Sequence, residues 1–294
     1  QEIEKAIHYD QNREMDTETA MNYDIYASIC AELSADGIPG FYEKADKAFH
    51  KVISFREKYM GKYHPDLGDG YHEYALFLYY NNELDKAERY AQKALDISAS
   101  NFTEKSISYA RNLNTMGIIL DAKRKSESAI GIYRQVLSIY DSIQNAPEDD
   151  RASTYYNMAA AYQQFEKFED SLEYYKEAED IWRKILPENS VRFMEIHQCR
   201  GECFMMSEQY KSAIEEYAKA LSFLNSQIWP KIEMISDIAE CYLMTGDLAN
   251  AKIYFIQALE CMEKWEKNEA GMQVRILLNL YEIEKHMGNH MEAK

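Results

Sequence analysis

Apolar residues recur along the chain at spacings of 3, 4 and 7, the period of one face of a helix, and short polar breaks interrupt them at regular intervals. The breaks read PGFYEKAD, NNELDKAE, AKRKSESA, FEKFEDSL, SEQYKSAI, TGDLANAK and MGNHMEAK. Each carries one short side chain at a fixed place: Ala45, Ala87, Ala129, Ser171, Ala213, Ala251 and Ala293. These anchors stand 42, 42, 42, 42, 38 and 42 residues apart. A fixed period of this size predicts a solenoid of stacked units, each too small to bury its own apolar face.

The chemistry inside the period repeats as well. Twelve residues before an anchor stands a tiny residue (Ala75, Gly117, Ala159, Gly201, Ala239), and three further on a bulky one (Leu78, Leu120, Tyr162, Phe204, Tyr242). Four residues after the anchor come Ala91, Tyr133, Tyr175, Tyr217 and Phe255. Tiny residues let two helix axes approach, and a large ring from the facing helix fills the gap. Each period therefore predicts a helical hairpin held by a small-to-large fit. Trp229-Pro230 falls in the one shortened period, where Pro230 is expected to open the next helix with Trp229 over the joint.

This pattern resembles the tetratricopeptide repeat, a helical hairpin with small residues at fixed positions. The 42-residue period and the stretch GKYHPDLGDGYHEYA (61–75) are similar to the kinesin light chain type of repeat, as are the Asn-bearing segments RNLNTMG (111–117) and YYNMAAAY (155–162). The loops SNFTEKS, NAPEDDR and LPENSVR lack its His-Pro pair. The resemblance implies an all-α, right-handed superhelix of about six hairpins with partial hairpins at both ends, a single domain over 1–294. EKAIHYDQNRE reads as the second helix of an earlier hairpin and MEAK as the start of another, so the expectation is a piece of a larger protein.

Charge narrows the partners. With 33 Lys and Arg against 50 Asp and Glu, the net charge is −17. Nucleic acid and anionic membranes both require basic patches, and beyond AKRK (122–125) no cluster exists, so neither is an expected partner. No apolar run reaches the length of a membrane span, and QEIEKAIHYD has no signal-peptide core, which predicts a soluble, cytoplasmic chain.

Catalytic, metal and cofactor motifs are not found. No GxxxxGK or GxGxxG occurs, and the His72-Glu73 pair lacks a second His at Leu76. Cys203 and Cys241 both lie ten residues before an anchor, so they read as small core residues rather than metal ligands beside His197 and Cys199. Carboxylate pairs such as Asp149-Asp150 and Glu215-Glu216 read as solvated surface in so acidic a chain.

In the resembled architecture the first helix of each hairpin lines a concave groove, and its outward positions map onto definite residues. The groove would present Arg111, Asn114, Thr115, Tyr156, Asn157 and Gln163, then Glu195, Glu202, Met205 and Met206, then Glu233, Ser236, Asp237 and Glu240. Asn114 and Asn157 match the pair with which such repeats hold a peptide backbone, since an amide donates and accepts at once. Arg111 stands alone, so the basic clamp of the chaperone-tail type is absent, and the five carboxylates favour a basic segment over an acidic cargo peptide. The expected function is a non-catalytic protein- or peptide-binding scaffold. The alternative is a regulatory or sensor arm of a multidomain ATPase or protease whose catalytic domain lies outside these residues.

Overall fold

The computed structural model describes residues 16–35, 37–224, 228–264 and 270–288. Among them are thirteen α-helices and no strand. They form hairpins in chain order: α1 Thr17–Ala35 with α2 Phe41–Tyr59, α3 Pro65–Tyr80 with α4 Leu84–Phe102, and α5 Ile107–Ala122 with α6 Ser126–Ser142. Next in chain order are α7 Glu148–Gln164 and α8 Phe168–Ile185, then the hairpins α9 Val191–Met206 with α10 Tyr210–Ser222 and α11 Ile228–Met244 with α12 Leu248–Met262, and finally α13 Ala270–His286. The contacts group into two compact units, one ending at Phe165 and one beginning at Glu166.

Five of the polar breaks become three-residue turns with one repeated geometry. The middle residue is left-handed each time: Asn82, Arg124, Glu166, Glu208 and Gly246, with φ between 57° and 79°. Around four of them two hydrogen bonds close the preceding helix. Glu83 N–H donates to the Leu78 carbonyl at 2.8 Å and Asn82 N–H to Tyr79 at 2.9 Å; Lys125, Gln209 and Asp247 repeat the first bond to Leu120, Phe204 and Tyr242. This is the paired capping that satisfies the last carbonyls of a helix. The carbonyl of the third turn residue then accepts from the anchor's N–H, as Glu83 does from Ala87 and Gln209 from Ala213. One three-residue segment thus ends one helix and starts the next, which explains why the polar break keeps its distance from the anchor.

The anchors occupy the first turn of each second helix, and Ala45, Ala87, Ala129, Ser171, Ala213 and Ala251 are all 0% exposed. Ala293 lies outside the described residues, as do 1–15. The tiny residues beneath the rings are equally closed off. A Cβ placed on Gly117 would stand 2.5 Å from Cε1 of Tyr133, and one on Gly201 would stand 2.7 Å from Cε1 of Tyr217. In the first unit the first helices also touch one another from hairpin to hairpin (α1 with α3, α3 with α5, α5 with α7), which places them on the inner side of the stack.

The shortened period takes its missing turn from α10, which has 13 residues where the other second helices have 15 to 19. The next helix begins at Ile228, two residues before Pro230, which corrects the expected start. Proline is tolerated in a first turn because its missing N–H would have no helical acceptor there. The Trp229 side chain is outside the described residues.

Gly117→Ala should lower thermal stability by roughly 1–3 kcal/mol, because the Tyr133 ring is itself fully packed and cannot yield. Gly131→Ala in α6, where a Cβ meets nothing within 4 Å, should instead gain about 0.5–1 kcal/mol. Parallel thermal melts of the two variants check the assignment, and equal shifts would contradict it.

Candidate functional site

In the first unit the expected groove residues fall on α5 and α7. Asn157 Nδ2 donates to Asn114 Oδ1 at 3.4 Å, and both side chains remain half-buried rather than enclosed. Arg111 is exposed, and its Nε donates to Asp150 Oδ2 at 2.6 Å, so the guanidinium is already engaged. Tyr156 and Gln163 are half-buried. Thr115 is not a groove residue: it is 4% exposed, and its hydroxyl donates to the Arg111 carbonyl within α5.

The second unit gathers acids from successive first helices. Glu202 on α9, and Glu233, Asp237 and Glu240 on α11, are all half-buried and accessible. Burial, together with the charges of Glu240, Glu202 and Glu233, pushes the Asp237 carboxyl up to about 7, against the pull of Arg275. Arg275 reaches over from α13 to place its Nε 3.5 Å from Glu240 Oε1. Glu202 accepts from Gln198 at 3.3 Å, and Glu195, also half-buried, is paired with Arg192 at 3.2 Å. Met205 is half-buried and Met206 is 52% exposed, lying beside the acids on α9. Ser236, assigned to the groove by position, is fully buried instead.

A profile of the tetratricopeptide repeat matches residues 69–142 and 150–226, just over half of the chain. The chain belongs to the tetratricopeptide repeat family. Its fold is similar to the nearly identical TPR-like repeats of a Podosopora anserina protein assigned as a kinesin light chain, with a TM-score of 0.58 and 17% identity over 70% of this chain and 99% of that one. It is similar too to a signal transduction ATPase with numerous domains from Pyrococcus horikoshii that carries a tetratricopeptide repeat sensor, with a TM-score of 0.67 and 15% identity over 92% of this chain and 40% of that one. Among curated sequences, a clustered mitochondria protein homolog of Aspergillus niger is 18% identical over 178 residues, 60% of this chain. The chain spans only 14% of that relative's length.

Three features of this repeat protein were not foreseen from its sequence. The first is a charged cluster inside the second unit. Glu216, read as solvated surface, is 4% exposed: His197 Nδ1 lies 2.8 Å from its Oε2, Lys219 donates to Oε1 at 2.7 Å, and Arg200 stands 3.4 Å away. Arg200 also reaches Glu179 at 2.9 Å, and Arg183 bonds the same carboxylate from one turn along α8. Burial alone would raise the Glu216 carboxyl, but the hydrogen bonds from His197 and Lys219 and the charge of Arg200 hold it down at about 2. The only sequence signal was that residue 216 shares a helix face with the anchor Ala213.

The second is an apolar cavity of about 340 Å³ on the inner side of the first unit, between Ala31 and Ala35 of α1, Phe49 of α2 and Leu76, Phe77 and Tyr80 of α3, with Glu32 and Glu73 at its edge. Extending the groove positions one repeat towards the start would have found Glu73, Leu76 and Tyr80. The third is a larger cavity of about 730 Å³ among α2, the 60–64 loop, α3 and α4. Its Lys93 is already held 3.9 Å from Glu57 and above the rings of Tyr71 and Tyr90, so its charges are largely met from within. Cys203 and Cys241 are fully buried, and burial pushes their thiols up to about 11 and about 12, so neither is a thiolate at neutral pH. No helix among the described residues is long and apolar enough to cross a membrane.

Glu216→Gln should cost about 3–5 kcal/mol at pH 7, because it leaves the largely enclosed His197 and Arg200 facing a neutral amide. The Glu216 carboxyl is lowered by folding, so its contribution is complete above the ordinary carboxylate value of 4.5 and is lost as pH falls towards about 2. The difference in melting temperature between wild type and variant should therefore shrink on acidification through that window. Asp237 has the opposite sign: folding raises its carboxyl, so stability from this group falls as pH climbs from about 4 to about 7. Asp237→Asn should melt higher than wild type at pH 8 and close to it at pH 4, as measured by circular dichroism.

Proposed function

We propose that this chain is a non-catalytic module that binds a basic segment of a partner protein on the inner face of its repeats, as one tetratricopeptide domain acting in the cytoplasm without a cofactor. The tetratricopeptide fold generally mediates protein–protein interaction. The observation that carries the finer reading is the convergence of Glu202, Glu233, Asp237 and Glu240, where burial together with the neighbouring acids raises the Asp237 carboxyl to about 7. A cation supplied from outside relieves that mutual repulsion. Met205, Met206 and Met244, the last 63% exposed, offer adaptable apolar contact beside it. The Asn114 and Asn157 amides, with Tyr156 and Gln163, are proposed to meet partner backbone in the first unit, and Arg111 to trade Asp150 for a partner acid.

A second reading is supported by the Pyrococcus horikoshii protein, in which repeats of this fold form the sensor of a larger signalling ATPase. On that reading the chain is a sensor arm, and the same face receives the signal. Sequencing the full-length transcript decides it, since a phosphate-loop or Cys-His domain in the same reading frame is required.

Reversing Glu202 and Glu240 to Lys should abolish binding of a hexa-arginine peptide and flatten what remains of its salt dependence, as read by isothermal titration calorimetry at two ionic strengths. The control is Glu169→Lys with Glu177→Lys on α8, which changes net charge equally at exposed positions of a second helix. Equal affinity of the two double variants would show that only net charge matters and would overturn the groove reading.

A further inference from the structure

The acidic face of the second unit contains an incomplete polar site at its centre. Tyr217 from α10 crosses the bare backbone of Gly201, is 0% exposed, and brings its hydroxyl within electrostatic reach of Asp237 and Glu202. That hydroxyl has no hydrogen-bond partner among the described residues, and neither has the fully buried Ser236 hydroxyl next to Asp237 in sequence. A buried hydroxyl without a partner is uncommon and costs free energy that a partner would recover. No hydrogen bond from a described residue reaches the Asp237 carboxyl either.

The groups around Asp237 can be enumerated by helix. Glu202 faces it from α9, Tyr217 from α10 and Arg275 from α13, while Glu233, Glu240 and Cys241 share its own helix. Arg275 is the cation of this set, and its head group is committed to Glu240. Burial first, and then the like charges of Glu240, Glu202 and Glu233, keep the proton on this carboxyl near neutrality, and Arg275 only partly offsets them.

We propose that Asp237 is the seat for one cationic side chain of the bound segment, an arginine or lysine entering between Glu202 and Glu240. This rests on the groove reading above and adds to it the residue that selects the cation. Seating the cation favours the ionised carboxylate, so Asp237 gives up its proton to solvent as the complex forms. Binding is then coupled to pH with a definite sign: affinity rises as pH rises through the range in which free Asp237 is protonated.

The test is calorimetry of wild-type protein with a hexa-arginine peptide, whose own charge is constant over the range, at pH 6, 7 and 8 in buffers of different ionisation enthalpy. With a carboxyl at about 7 in the free protein, affinity should rise about tenfold from pH 6 to pH 8, with net proton release at pH 7. Asp237→Asn should bind near the wild-type level at pH 6, with a flat pH profile and no proton release. A hexa-citrulline peptide, the neutral isostere, should not bind. Carbon-13 titration of the Asp237 carboxyl, free and with peptide, reads the same proton directly and separates it from the histidines. A wild-type profile that is flat, or an Asp237→Asn profile that matches wild type, overturns this assignment while leaving the groove reading intact if Glu202→Lys with Glu240→Lys still abolishes binding. Peptide binding that survives that double reversal overturns both.

Discussion

A missing atom governs the hairpins where the packing is tightest. Gly117 and Gly201 have no Cβ, and the rings of Tyr133 and Tyr217 lie where it would be. The close approach this permits sets the distance between paired helices, and that distance decides which side chains reach the next layer. Where the tiny residue is alanine, as at Ala75, Ala159 and Ala239, it is equally buried, and the residues four after the next anchor, Ala91, Tyr175 and Phe255, are buried as well. Burial at these positions therefore recurs through the repeats, while the size of the side chain that supplies it varies from Ala91 to Tyr133 and Tyr217.

Much of this was legible because burial is a property of spacing. The anchors, the tiny residues and the rings sit at fixed offsets, and every described anchor is fully enclosed. Cys203 and Cys241 were readable as core residues for the same reason, by sharing a repeat position. Position alone was a weaker guide at the boundary between inner face and core. Thr115 and Ser236 occupy nominal groove positions yet are buried, because a short polar side chain can turn back to its own helix or sink between neighbours where a long one cannot. Glu216 failed in the other direction: charge suggested solvent, but its burial depends on counter-ions from α9 and from its own helix that no local pattern announces.

Electrostatics gives the second unit two carboxylates with opposite histories. Glu216 sits among His197, Arg200 and Lys219 and is held ionised far below neutrality, whereas Asp237 sits among like charges and holds its proton up to about 7. Both lie within one pair of adjacent hairpins, so depth in the fold does not separate them; the sign of the company does. The satisfied carboxylate ties helices together. The unsatisfied one is left where a partner can approach.

The enclosed charges also bear on a difficulty peculiar to chains made of near copies. When every hairpin offers the same small-to-large fit, any one could stack on any other, and folding has many wrong answers of almost equal energy. The cluster of Glu179, His197, Arg200 and Glu216 removes that degeneracy at one junction. Each helix contributes only part of the set, α8 and α10 the acids, α9 the imidazole and a guanidinium. A swapped or slipped neighbour would strand two carboxylates away from water with nothing to meet them. The cluster thus acts as an address label, ensuring that these three helices recognise one another and not their look-alikes.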